Sequence, residues 1–131
     1  MKVLTLRLLF VGFLLFAAVA LAARPGPAGA TAAARSRCGW FSNPTPANAS
    51  LHDREAEWII GVQGGHQAEG DWPEFAPKQW VKTNVNYGYG CACMRVEVDR
   101  ESNRVLEIKS ARARPLSACR RDKALKRWGF K

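Results

Sequence analysis

The chain has 131 residues, 47% of them hydrophobic, with 20 Lys and Arg against 11 Asp and Glu for a formal net charge of +9. That length suits one small domain, whose single core is marginal without disulfide or metal staples. The basic excess lies at the ends: between Cys38 and Cys119, nine basic residues face ten acidic ones. The body is therefore near neutral and lacks the basic face of a nucleic-acid reader.

In chain order, Lys2 and Arg7 precede an apolar run from Leu8 to Ala20, and Ala20-Leu21-Ala22 offers an A-x-A cleavage site. This is the tripartite pattern of a secretory signal over residues 1–22. The run is short of the roughly 20 apolar residues that a membrane span needs. No cysteine closes it, which argues against a lipid anchor. The mature protein is expected to begin near Ala23, in the periplasm or outside the cell. Residues 23–36 are rich in Ala, Gly and Pro without periodicity, the composition of a disordered linker.

The folded part is placed at 37–122. Cys38, Trp40 and Phe41 open it, and the prolines of Asn43-Pro44-Thr45-Pro46-Ala47-Asn48 force an extended or turned backbone. Asn48-Ala49-Ser50 matches a glycosylation sequon and is read as a surface turn. Glu57-Trp58-Ile59-Ile60-Gly61-Val62-Gln63 is a strand by composition. The Gly64–Asp71 stretch after it lacks the Gly-Lys-Ser/Thr of a phosphate loop and reads as a flexible connection. Trp72-Pro73-Glu74-Phe75-Ala76-Pro77 again sets rings beside prolines. Gln79-Trp80-Val81-Lys82-Thr83 is a short strand with Trp80 inward, and Asn84 to Gly90 turns.

The clearest period of two follows, with Ala92, Met94, Val96 and Val98 alternating against Cys91, Cys93, Arg95 and Glu97. A turn at Asp99–Asn103 leads to a partner strand, giving an antiparallel hairpin of 92–98 with 104–111. A register pairing Val98 with Arg104 sets Val96 against Leu106, Met94 against Ile108 and Arg95 against Glu107, three compatible pairs. One helical turn is expected near Ser117–Ala124. The class is mainly β: one small β-rich domain with little helix. Residues 123–131 form a basic tail, read first as a solvated, disordered end. Its cations, interspersed with Leu125, Trp128 and Phe130, also suit weak contact with an anionic membrane surface.

Four cysteines in an exported small domain read as two disulfides. Cys91 and Cys93, two apart on a strand, have Cβ atoms about 6.5–7 Å apart, too far for the ~3.5–4.5 Å that a disulfide needs. Each must reach Cys38 or Cys119. Cys91 lies nearer the open end of the hairpin, which favours Cys91–Cys119 with Cys38–Cys93; the converse pairing stays open. Zinc would prefer Cys-x₂₋₄-Cys spacing. A Cu(I) site would draw on Cys91, Cys93 and Met94 with His66 or His52, but alternation turns Met94 away from the thiols. No metal or other cofactor is expected. His66, Glu69 and Asp71 share a loop and could gather as an acid/base or metal group, though such loop residues are usually solvated.

Arg37-Cys38-Gly39-Trp40, Asn43 to Asn48, Gln63-Gly64-Gly65 and Tyr87-Gly88-Tyr89-Gly90-Cys91-Ala92-Cys93 resemble a family of small exported bacterial proteins of unknown function. The resemblance runs from Arg37 to about Leu125. It implies a Gram-negative envelope location and carries no functional residue. Trp and Tyr are common interface anchors, and five tryptophans in a small chain without a catalytic constellation suit a non-catalytic binding or inhibitory module. Its surface is placed at Trp40, Trp72, Tyr87 and Tyr89, its partner being an envelope protein or ligand. The competing reading is a periplasmic enzyme or a metal or redox handler built on Cys91/Cys93 or on His66/Glu69/Asp71.

Overall fold

The computed structural model describes residues 33–131. The expected signal segment and most of the expected linker lie outside these residues. Six strands form one sheet: β1 (Arg35–Thr45), β2 (Asn48–His52), β3 (Glu57–Gly61), β4 (Trp80–Asn84), β5 (Tyr87–Asp99) and β6 (Arg104–Arg114). A short helix α1 (Leu116–Arg121) and a 3₁₀ segment (Lys123–Trp128) follow. The mainly β class, the hairpin and both disulfides are as expected.

The sheet order is β1-β2-β3-β6-β5-β4, and β1 also pairs with β5. The five strands other than β4 therefore close into a ring. Its narrowest seam is the parallel contact of β3 with β6 at Ile59 and Arg104. Residues 67–69 thicken that seam, since Ala68 N donates to Ile60 O, Glu69 N to Leu106 O, and Ile108 N to Glu69 O. The result is a partly open five-stranded ring, with β4 paired outside it to the start of β5. Such a fold by itself does not name a function.

Sequence and structure part at several places: Asn48–Ser50, read as a surface turn, lies in β2, and Tyr87–Gly90, read as part of a turn, already belongs to β5. Arg35 and Ser36, expected to end the linker, pair with Val96 and Arg95 and begin β1. The strand then runs through Pro44, whose missing N–H is tolerated near a strand's end. The turn at Pro46-Ala47 joins it to β2. The hairpin register also differs: Asp99 faces Arg104, Val98 faces Val105, Val96 faces Ile108 and Met94 faces Ala111. Two bulges, beside Leu106 and beside Lys109, shift the pairing. They allow Val105 and Ile108, three residues apart, both to point inward, and both are buried. Glu97 and Glu107 then stand opposite each other, and Lys109 answers both, at 3.2 and 2.6 Å. Those contacts raise the Lys109 pKa, Glu107 most.

A further difference is the Gly64–Asp71 connection, which is pinned rather than free: the His66 imidazole Nε2 meets the Val105 carbonyl at 2.7 Å.

Inside the ring, Phe41, Leu51, Trp58, Ile60, Met94, Val96, Val98, Val105 and Ile108 form the main core. Arg37 enters it as a buried ion pair, 2.7 Å from Asp53, with its guanidinium 3.9 Å from the Trp58 ring centroid. Asp53 in turn accepts from the Glu55 and Ala56 amides. A second core lies outside the ring and is made of Trp40, Cys91, Cys119 and Leu125.

Candidate functional site

The Tyr87–Gly90 stretch of β5 is flanked by β1 on one side and β4 on the other. Phe41 and Trp80 both register with Gly90, while Asn43 and Lys82 both register with Gly88. Each rung therefore reads side chain, glycine, side chain. With no Cβ on the middle strand, the Val81 carbonyl of β4 closes over Gly88 and the Phe75 ring packs over Gly90, and Phe41, Trp80, Asn43 and Lys82 border a cleft beside them. The segment before β4 lays Trp72, Pro73, Phe75 and Pro77 around it, and together these eight residues line a cleft of about 440 Å³.

The cleft is aromatic at one end and polar at the other. Phe75 wedges between Phe41 and Trp80, with ring centroids 5.7 and 4.9 Å away, and Trp72 meets the Phe41 ring at 5.6 Å. Phe75 occupies the space over Gly90: an added Cβ there would collide with the ring and stand 2.7 Å from the Gln79 carbonyl oxygen. The Trp80 indole is fixed by donating to Asn86 O at 3.0 Å. Asn43 donates its amide to Thr45 O and Asn48 O, which aims its remaining oxygen as an acceptor. Lys82 is exposed and makes no ion pair or hydrogen bond among the described residues. Phe41 is buried, whereas Trp72, Phe75 and Trp80 are half-buried, with ring surface still facing solvent.

The opposite face of the same stretch is closed. Tyr89 meets Trp40 edge-on at 5.5 Å, and Phe130 covers both, 5.7 Å from Trp40 and 4.9 Å from Tyr89. Trp128 donates its indole N–H to Asp53 O at 2.8 Å, and Tyr89 Oη donates to Lys131 O at 2.9 Å. The tail is thus a strap packed on the domain instead of a solvated end. Its apolar side chains find a ready surface in Trp40 and the Cys91–Cys119 bridge. Asp122 caps the 3₁₀ segment by accepting from Ala124 N, and it pairs with Arg54 at 2.9 Å. His52 lies under the strap, 5.0 Å from both the Trp128 and Phe130 rings. Burial lowers its pKa, against a smaller opposing pull from Glu57 at 3.8 Å.

Of the four expected surface aromatics, only Trp72 lines the cleft. Trp40 is 1% exposed and belongs to the second core, because β1 alternation turns it away from the cleft that Phe41 faces. Tyr89 lies under the strap, and Tyr87, half-buried at the start of β5, shares its face. Phe41, Asn43, Phe75 and Lys82 escaped the sequence reading. The usable signal was Gly88 and Gly90 alternating with tyrosines, which lets neighbouring segments approach one strand face closely.

Both disulfides join the favoured pairs, Cys38–Cys93 and Cys91–Cys119, and no cysteine is free among the described residues. With all four sulfurs bonded to each other, none is a thiolate ligand or nucleophile in this state. Met94 is buried in the main core, away from them. His66, Glu69 and Asp71 do not converge: the imidazole binds Val105 O, Glu69 is held by its backbone, and the described residues contain no cluster of three His, Cys, Asp or Glu fit for a metal.

Residues 32–126 match the model of a family described as a protein of unknown function, DUF4087. The chain belongs to that family. No curated protein and no solved structure matches it. The matched span includes all six strands and both disulfides, and therefore the whole cleft.

Proposed function

We propose that the protein is an exported, non-catalytic binding module that takes its ligand in the aromatic cleft between β1 and β4. The observation that carries this reading is the cleft between β1, β4 and the Trp72–Pro77 segment, with three half-buried aromatic rings beside one amide and one unpaired cation. Concave, mostly apolar sites with a few placed polar groups are the usual form of ligand pockets. The basic and apolar start of the chain, together with two disulfides, supports export to the periplasm or beyond. On this reading the exposed cations of the strap, Arg120, Arg121, Lys123, Lys126, Arg127 and Lys131, contact an anionic surface by charge alone, since Leu125, Trp128 and Phe130 already pack on the domain.

A suitable probe is 1-anilinonaphthalene-8-sulfonate, which joins an aromatic body to an anion. It should bind oxidised wild-type protein at one site with enhanced emission. Trp72→Ala should weaken that binding at least about tenfold, while its urea midpoint stays close to wild type. Equal binding by both proteins would end the reading. N-terminal sequencing of protein recovered outside the cytoplasm should begin near Ala23, and an intact Met1 there would refute processing.

A further inference from the structure

The strand that forms one wall of the cleft has a free side. β4 pairs with β5 and with no other strand among the described residues. None of the remaining backbone hydrogen bonds among the described residues involves Trp80 to Asn84. Lys82, Thr83 and Asn84 are exposed. An antiparallel edge turns alternate N–H and C=O groups outward, and five residues are enough to seat a short extended chain. The charged Lys82 and the short length guard this edge against indiscriminate pairing.

Trp80 and Lys82, two apart, face the same side of β4, the side that lines the cleft. A strand added along the free edge would extend both rungs by one position. Its side chain opposite Trp80 would reach the aromatic end of the cleft, and its side chain opposite Lys82 would meet an unpaired cation. We infer, resting on the cleft being the binding site, that the ligand is an extended peptide segment of a partner protein that adds as a strand to β4. It presents an apolar or aromatic residue to Trp72 and Trp80, and a carboxylate side chain to Lys82.

In the antiparallel sense the acidic residue precedes the apolar one by two positions. Backbone pairing supplies affinity that does not depend on sequence, and the two pockets select the side chains. A sugar would use the ring faces of Trp72 and Trp80, but neither the free backbone nor the charge of Lys82.

The test uses the oxidised protein and the peptide acetyl-Thr-Glu-Thr-Phe-Thr-amide, measured by displacement of the anilinonaphthalene probe and by amide exchange. Binding should slow exchange at β4 amides. Lys82→Glu should weaken the peptide at least about tenfold and favour a version with Lys in place of Glu. N-methylation of alternate peptide residues should abolish binding in one register and spare it in the other. Three results overturn the inference: no displacement by any peptide, displacement indifferent to N-methylation, or displacement by chitohexaose or cellohexaose instead. In all three the Trp72-dependent probe signal can persist, which leaves the cleft reading intact. Loss of that dependence removes both.

Discussion

β5 carries two aromatic clusters back to back, and they differ in what covers them. On the tyrosine face, Trp40, Tyr89, Trp128 and Phe130 stack around the Cys91–Cys119 bridge, and the chain's own last segment closes over them. On the glycine face, Phe41, Trp72, Phe75 and Trp80 gather at similar ring distances around a space that nothing in the described chain fills. The ring chemistry is alike on the two sides. What separates a structural cluster from a candidate binding site is the absence, among the described residues, of a strap over the second cluster. Aromatic content alone therefore says little about function in this chain.

The sharpest way to break this contrast is to truncate one tryptophan on each side. Trp40→Ala should destabilise the protein by about 3–5 kcal/mol, as loss of a fully buried large aromatic does. Trp72→Ala should shift the same urea midpoint by about 1 kcal/mol or less, since much of its ring already meets water. Comparable losses from both would erase the distinction.

Filling the space at Gly90 comes next. Gly90→Ala should cost about 1–3 kcal/mol as an overpacked site, because Phe75 must move from its seat. It should also weaken probe binding, whereas Tyr89→Phe, on the other face, should leave the probe untouched.

The smallest effect is the pH dependence of the strap. Burial holds the His52 pKa below its ordinary value of 6.5, so between the two values the unfolded chain binds the extra proton. Stability is therefore complete above about pH 6.5 and falls as the pH drops towards the folded value, by at most about 1.4 kcal/mol per pH unit. Urea titrations at pH 7.5 and 5.5 should show this loss in wild type and a smaller one in His52→Gln. An equal loss in both would assign it to other groups.

The strands with strong β composition and strict alternation were legible without coordinates: Trp58 to Ile60, Trp80 to Thr83, and the Ala92–Val98 run. That Cys91 and Cys93 do not bond each other was also legible, because two residues on one strand face lie too far apart. The choice between the two remaining pairings was only favoured, and the structure decides it. The hairpin register was not legible. It depends on bulges at Leu106 and Lys109, which answer to three-dimensional packing and leave no local mark in the sequence. β1 was hidden by Pro44, by the Ala-rich stretch before it, and by a pairing with β5 whose partners, from Asn43 with Gly88 to Arg35 with Val96, lie far apart in the chain. The cleft was hidden for a related reason: its walls come from β1, β4 and the Trp72–Pro77 segment, and only the sheet order makes them neighbours. The strap looked like a tail because its basic residues dominate its composition. The three apolar side chains that fix it are sparse, and the surface they need lies across the sheet.

The position of Cys38 opposite Cys93 bears on how the chain selects its partners. As synthesis proceeds, Cys38, Cys91 and Cys93 are all present well before Cys119. Cys38 therefore meets two equivalent-looking thiols before the last one exists. The β1–β5 register separates the two thiols by setting Cys38 against Cys93 and Trp40 against Cys91. A chain oxidised before β1 docks lacks that distinction between Cys91 and Cys93. A formed β1–β5 pair thus distinguishes the two thiols by a two-residue offset.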